Sequence, residues 1–322
     1  MALLALPCRP YDPGVATTER RTAYKTVSGR GLDWSSVPMR LFQKAKRLGT
    51  WDPLAIDLEH DKQDWAALPD LRREDLIATT TLFCAGEEAV TLDLLPLVMT
   101  VAERGMIEEE IYLTSFLWEE AKHTEFFARW LTDVPRLAGH DLHEYMGPNY
   151  RRLFFDELPG AMNRLLTDRS DEALARALVT YNMIIEGTLA ETGYESYRRQ
   201  LESGLLLPGL SGALRLISRD EARHIRFGVY MLQLLISGEG RLWDVVDRRM
   251  NDLLPFVVGM ISPPLDGPPQ TPQEQAYTDE MQAFAVRQFE RRMNVLRRAR
   301  KQTREEVRAE AAAELEAEPG PI

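Results

Sequence analysis

The sequence predicts an all-α protein, a four-helix bundle with additional helices and an irregular N-terminal arm. Three observations predict it. Apolar residues in every long segment recur at a spacing near 3.6 rather than 2. Two E-x-x-H pairs, Glu120/His123 in EEAKHTEFF and Glu221/His224 in DEARH, each put a carboxylate and an imidazole on one helix face. Each pair follows a segment with a lone glutamate in an apolar setting, Glu87 in FCAGEEAVTLD and Glu186 in YNMIIEGTLAETGY. A bundle that holds two metal ions needs that set: one carboxylate from each of two helices and an E-x-x-H from each of the other two.

Composition narrows the class. With 322 residues, 44% of them hydrophobic, the chain can bury a sizeable core and is not disordered throughout. A formal net charge of −11 argues against a nucleic-acid-binding surface. No run is apolar for the roughly 18 residues of a spanning helix, and MALLALPCRP lacks the basic start and length of a secretory signal, so a soluble, cytoplasmic protein is expected. Cys8 and Cys84 are the only cysteines, which excludes a disulfide framework or a cysteine-rich metal site, and Cys84 reads as a small buried hydrophobe.

In chain order, residues 1–69 carry Pro7, Pro10, Pro13, Pro38, Pro53 and Pro69 with little periodicity and read as an irregular arm, pinned by Trp34, Leu41, Phe42 and Trp51. The bundle occupies residues 70–262. Its first helix starts at Asp70, a plausible cap, and runs to about Arg104, with a kink or a new segment at Pro96. Leu76, Thr80, Phe83, Cys84, Glu87, Val90, Thr91 and Leu94 form its inward stripe. The second helix runs from about Ile107 to Thr132, with Leu113, Phe116, Glu120, His123, Phe127 and Trp130 inward. A looser stretch follows, holding His140 and His143 as surface residues, and then a helix from about Tyr150 to Leu166. The third bundle helix starts near Ser170 and ends around Ser203 and Gly204. The fourth starts after Pro208 and Gly209 and carries Leu214, Ile217, Glu221, His224 and Gly228 on one face, the glycine leaving room near the metals or for a neighbouring backbone. A further helix spans about Gly240 to Ile261. Residues 263–322 comprise a proline-rich break and a last helix from about Gln273, whose end is polar all round and is either frayed or a contact surface.

A glutamate on a helix is ordinarily a solvated surface residue. Position argues otherwise for Glu87, Glu120, Glu186 and Glu221, which fall on apolar stripes, whereas Glu88 and Glu119 fall off them and read as exposed. A buried, unpaired carboxylate costs several kcal/mol or becomes neutral, so four converging ones need cations, and two divalent ions balance them. Oxygen-rich sites with one imidazole per metal suit iron or manganese. Asp220, directly before Glu221, is placed to accept the second N–H of a metal-bound His123 across the bundle, the alternative being a surface aspartate.

The segments AGEEAVTLD, EEAKHT, TYNMIIEGTLAETGY and DEARH resemble the ribonucleotide reductase small-subunit superfamily, which is ferritin-like, and within it the ligand-binding oxidases. The resemblance covers roughly residues 30–240. It implies a manganese/iron centre, with a di-iron pair as the alternative loading. Glu87, Glu120 and His123 would serve the manganese side, and Glu186, Glu221 and His224 the iron side. Val90 and Tyr181 mark the branch, and the resemblance implies an ether cross-link between the tyrosine oxygen and the valine Cβ. It also implies a long-chain fatty acid in a hydrophobic tunnel, an electron donor that no residue identifies, and a homodimer. Tyr194 is a further family-like position, placed to bond a metal-bound group. On an ideal helix Tyr181 and Glu186 would point about 140° apart, so the cross-link requires a π-bulge near Asn182 to Gly187; otherwise Tyr181 is a core tyrosine.

The expected function is oxidation of a lipid-like substrate by activated dioxygen, two electrons at a time. A lipid substrate would bring the protein to a membrane surface, although no basic amphipathic helix stands out. The alternatives are a reductase small subunit that stores a radical for a catalytic partner, a ferritin-like metal store, and a purely structural bundle.

Overall fold

A computed structural model describes residues 23–202, 206–238, 240, 242–262 and 271–317. The readings made for Pro7, Cys8, Pro10 and Pro13, for Ser203 and Gly204, and for most of the SPPLDGPPQTP break lie outside the described residues. The chain divides at Asp33. Before that point, the described residues hold a 3-10 turn, Lys25–Val27, and Gly31 at φ 63°.

From Trp34 onward the described residues are helical, without strands. Two helices form where an irregular arm was expected, α1 (Val37–Leu48) and α2 (Glu59–Ala67). The prolines of this stretch start elements instead of breaking them. Pro38 sits in the first turn of α1, where the missing N–H costs nothing, and Pro53 opens a 3-10 turn. Val37, Leu41 and Ala45, one helical turn apart, give α1 its buried face. Of the proposed pins, Leu41 is buried and Phe42 packs against the core, but Trp34 is 64% exposed.

The four bundle helices follow. Helix α3 (Asp70–Asp93) has Pro69 at its N-cap position without a side-chain cap and Asp70 inside its first turn, and α4 (Leu95–Glu103) is a separate segment with Pro96 in its first turn. Helix α5 (Ile107–Asp133) is the second; α6 (Pro148–Arg151), a π-helix (Arg152–Glu157) and α7 (Leu158–Arg164) form the connection. The third consists of α8 (Asp171–Leu178), capped by the Ser170 side chain on Ala173 N–H, a second π-helix (Val179–Ala190) and α9 (Glu191–Glu202). The fourth is α10 (Pro208–Ile236). Asp61 of α2, fully buried, accepts from the N–H groups of Gly209 and Leu210 at the start of α10, satisfying donors that a helix start leaves free.

Helices α11 (Trp243–Ile261), α12 (Pro272–Ala299) and α13 (Arg304–Ala317) complete the chain. The polar end of the sequence is a contact surface: Val307 and Leu315 of α13 are buried, and the helix packs on α1 and α10. Two buried side chains recurring at helical spacing suffice to seat an otherwise polar helix.

Apolar residues form two clusters. One contains Val90, Phe116, Tyr181, Ile184 and Phe227, the other Leu76, Phe127, Trp130, Tyr197 and Ile217. On each bundle helix the glutamate lies between a member of one cluster and a member of the other. Each fully buried Phe or Leu contributes about 1.5–3 kcal/mol, so a charged layer is held in a low-dielectric slab by packing on both sides of it.

Candidate metal centre

Six side chains meet in that layer. Glu87 comes from α3, Glu120 and His123 from α5, Glu186 from the second π-helix, and Glu221 and His224 from α10. All are buried, with Glu87 the most exposed at 6%. They form two groups whose ligand atoms lie within 4.8 Å of one another, Glu87, Glu120, His123 and Glu221 in one, and Glu120, Glu186, Glu221 and His224 in the other. Glu120 and Glu221 therefore face both positions, where the sequence reading gave each to one side.

His123 Nδ1 stands 3.2 Å from Glu221 Oε1 and 3.6 Å from both Glu87 Oε2 and Glu120 Oε2. His224 Nδ1 stands 3.1 Å from Glu120 Oε1 and 3.6 Å from Glu221 Oε1. Both Nδ1 atoms, Glu120 Oε2 and Glu186 Oε1 are buried without a hydrogen-bond partner. Buried polar atoms are rarely left so, and these converge with the oxygen and imidazole chemistry of an iron or manganese site. The residues fit two metal ions. Burial pushes the carboxyls of Glu87 and Glu186 well above the usual range, and the charges of Glu120 and Glu221, respectively, add to it.

The outer nitrogens of the histidines are held crosswise. Asp220 of α10 stands 3.3 Å from His123 Nε2 on α5. Glu119 of α5 stands 2.9 Å from His224 Nε2 on α10. Glu119, read from the sequence as exposed, is fully buried. The correction has a physical cause: α1, unrecognised in the sequence, ends at Gly49 directly over Glu119, where a Cβ would overlap Glu119 Oε1. Glu88, by contrast, is exposed as expected.

Around these acids lies a buried network that the sequence reading missed. Arg223 donates to Glu119 Oε1 at 2.5 Å and to Asp220 Oδ1 at 2.6 Å. Trp51 Nε1 donates to Asp220 Oδ2 at 2.7 Å, and the indole stacks at 6.1 Å on the His123 ring. Lys122 donates to Gly49 O and to Asp220 Oδ2. One signal was available: both E-x-x-H pairs are preceded by an acid, Glu119 and Asp220, and the equivalence of the two implies equivalent roles.

The π-bulge required near Asn182 to Gly187 is present as the π-helix Val179–Ala190. Tyr181 is fully buried, its hydroxyl donates to Glu120 Oε1 at 3.1 Å, and burial and nearby carboxylates hold it as a neutral phenol. Val90 is buried on the Glu87 face of α3. The Tyr194 hydroxyl is buried without a partner; after burial, the charge of Glu221 most raises its pKa. Cys84 is half-buried, and burial pushes its thiol up to about 11, away from redox reactivity. His140 and His143 are exposed, as expected.

A cavity of about 280 Å³ opens onto the layer. Glu87, Glu120, Glu186, Glu221 and Tyr194 line it, with Val90 beside them. Its walls are otherwise mainly apolar, including Leu82, Phe83, Phe154, Ile185, Leu189 and Met281, and it reaches the half-exposed Tyr277.

Ribonucleotide reductase, small chain, is the family whose model matches residues 41–253. Among solved structures, a tyrosine-to-phenylalanine variant of an R2-like ligand-binding oxidase with an aerobically reconstituted Mn/Fe cofactor is 35% identical, with a TM-score of 0.78 over 85% of this chain and 98% of that one. A valine-to-alanine variant with an anaerobically reconstituted Mn/Fe cofactor is 35% identical, with a TM-score of 0.79 over 88% of this chain and 99% of that one. The chain belongs to the ribonucleotide reductase small-chain family. Its branch is that of the R2-like ligand-binding oxidases, in agreement with the motifs around Glu87, Glu120, Glu186 and Glu221. No described helix is long and apolar enough to cross a membrane.

Proposed function

We propose that the protein is a dimetal oxidase that activates dioxygen to oxidise a C–H bond of a long-chain, lipid-like substrate. One observation carries the reading: unpartnered carboxylate and imidazole atoms converge, fully buried, at one end of a mainly apolar cavity. Glu87, Glu120 and His123 would hold one ion and Glu186, Glu221 and His224 the other, with Glu120 and Glu221 reaching both. Manganese and iron are the pair that the similar structures carry, and this donor set suits both. When bound, the metals supply dioxygen activation.

The chain's own part is to prepare the site. Asp220 and Glu119 accept from Nε2–H of their histidines, fixing the tautomer that points Nδ1 inward. The apolar cavity accommodates a hydrocarbon tail, such as that of a fatty acid, and excludes water. Self-oxidation would join Tyr181 Oη to Val90 Cβ: the phenolic O–H and the Cβ–H bonds break, a C–O bond forms, and two electrons and two protons pass to activated oxygen. Glu120 Oε1, already bonded to the phenol, is placed to receive its proton. An electron donor from outside the chain and a homodimer complete the reading. A cavity reaching the carboxylates favours an organic substrate over metal storage.

The reading is tested by anaerobic reconstitution with Mn(II) and Fe(II), elemental analysis, and then dioxygen uptake. Two metals per chain and uptake abolished in Glu120→Ala are expected. Two metals without uptake would contradict the oxidase, and no bound metal would leave a structural bundle.

A further inference from the structure

The two halves of the centre offer the same ligand types, so their difference must come from what surrounds them. Glu186 Oε2 accepts a hydrogen bond from Asn182 Nδ2 at 2.7 Å. Its other oxygen, Oε1, has no partner and faces the cluster, 3.8 Å from His224 Nδ1. In its ionised form, the one a cation would hold, Glu186 only accepts, which fixes the end of the Asn182 amide that faces it. Among the described residues, Glu87, the counterpart in the other half, receives no side-chain amide or hydroxyl; its side-chain partner is His123.

Asn182 is placed there by two features of the fold. Asn182 and Glu186, four residues apart, lie on the same side of the third bundle helix, within the π-helical stretch. Opposite them on α10, one turn beyond His224, Gly228 provides a notch; a Cβ at that position would overlap Asn182 Cβ and Cγ. Asn182 is fully buried and its Oδ1 has no partner, so the notch and Glu186 hold it, with no wider polar network.

We infer that Asn182 is the positioning residue that makes the two halves unequal: seated in the Gly228 notch, it takes one oxygen of Glu186 and presents the other to a single ion. The inference rests on the dimetal reading above. Its consequence is stepwise metal binding, in which the Glu186 half depends on Asn182 and the Glu87 half does not.

The test is calorimetric titration of the metal-free protein with Mn(II) alone, for the wild type, Asn182→Ala and Gly228→Ala, together with the melting temperature of each metal-free protein and the Mn(II) electron paramagnetic resonance spectrum. Loss of such an outer partner weakens metal binding by about 10–100-fold. In Asn182→Ala one of the two Mn(II) equivalents should weaken by about that factor, the other staying unchanged, with a matching change in the spectrum of only one ion. Gly228→Ala, which displaces Asn182 without altering it, should reproduce the same one-step loss. Both equivalents weakening together, or a fall in melting temperature with both affinities intact, would overturn the inference and leave Asn182 a packing residue. A wild type that binds fewer than two Mn(II) ions would instead remove the dimetal reading itself.

Discussion

Glu119 on α5 holds His224 on α10 at 2.9 Å, and this contact is the counterpart of the one from Asp220 on α10 to His123 on α5 at 3.3 Å. Each acid immediately precedes the cluster glutamate of its own helix, Glu120 or Glu221. One residue along a helix is a turn of roughly 100°, so the acid leaves its own stripe and faces the neighbouring helix. The exchange ties α5 to α10 and aims both Nδ1 atoms at the cluster.

Glu119→Gln and Asp220→Asn should therefore act on opposite halves. Each should weaken the ion bound by the histidine it orients by about 10–100-fold and leave the other nearly unchanged. Stepwise Mn(II) titration of both variants measures this; equal effects on both ions would contradict the crossed arrangement.

The cover over this network makes a stability prediction. In Gly49→Ala the new Cβ overlaps Glu119 Oε1 and crowds Ala45 O, both in fully packed surroundings. Overpacking of this kind costs about 1–3 kcal/mol, so the urea midpoint of the metal-free protein should fall at unchanged m-value. Trp51→Phe keeps the stacking on His123 and removes the donor to Asp220, for a loss of about 1.5 kcal/mol in the same measurement.

The bundle and the cluster of carboxylates and histidines inside it were legible because their signals are periodic and paired. Glu87, Glu120, Glu186 and Glu221 interrupt apolar stripes, and the angle between Tyr181 and Glu186 called for the π-helix that is present. What stayed hidden depends on contacts distant in sequence. Glu119 is buried by α1, and α1 was obscured by prolines that mark starts of elements as readily as breaks. The notch at Gly228 was legible as space, but its occupant, Asn182, is set by how α10 meets the π-helix.

Removing metal should destabilise the fold. A ligand that binds only the folded state at about 1,000 times its Kd adds about 4 kcal/mol. For a chain of this size that corresponds to a rise in melting temperature of about 6 °C on saturation with Mn(II), reversed by chelator. Glu120→Ala, which removes a carboxylate facing both positions, should abolish the rise. Calorimetric melts with and without Mn(II) provide the comparison.

The cavity makes a separate prediction. Ala190 lines it and is only partly buried, so Ala190→Phe can place a ring in the lumen without disturbing the ligands. Fatty-acid binding, measured by native mass spectrometry, should fall at least 10-fold while elemental analysis still finds two metals per chain, since blocking a filled apolar site costs more than about 1.4 kcal/mol. Retained binding would place the ligand elsewhere.

The most direct measurement of the oxidase account is peptide mass spectrometry on protein reconstituted with Mn(II) and Fe(II), before and after exposure to air. The account predicts a loss of two hydrogens, on exposure only, in a linked pair of peptides that contain Val90 and Tyr181. Unlinked peptides at full mass, from protein shown to hold both metals, would contradict it.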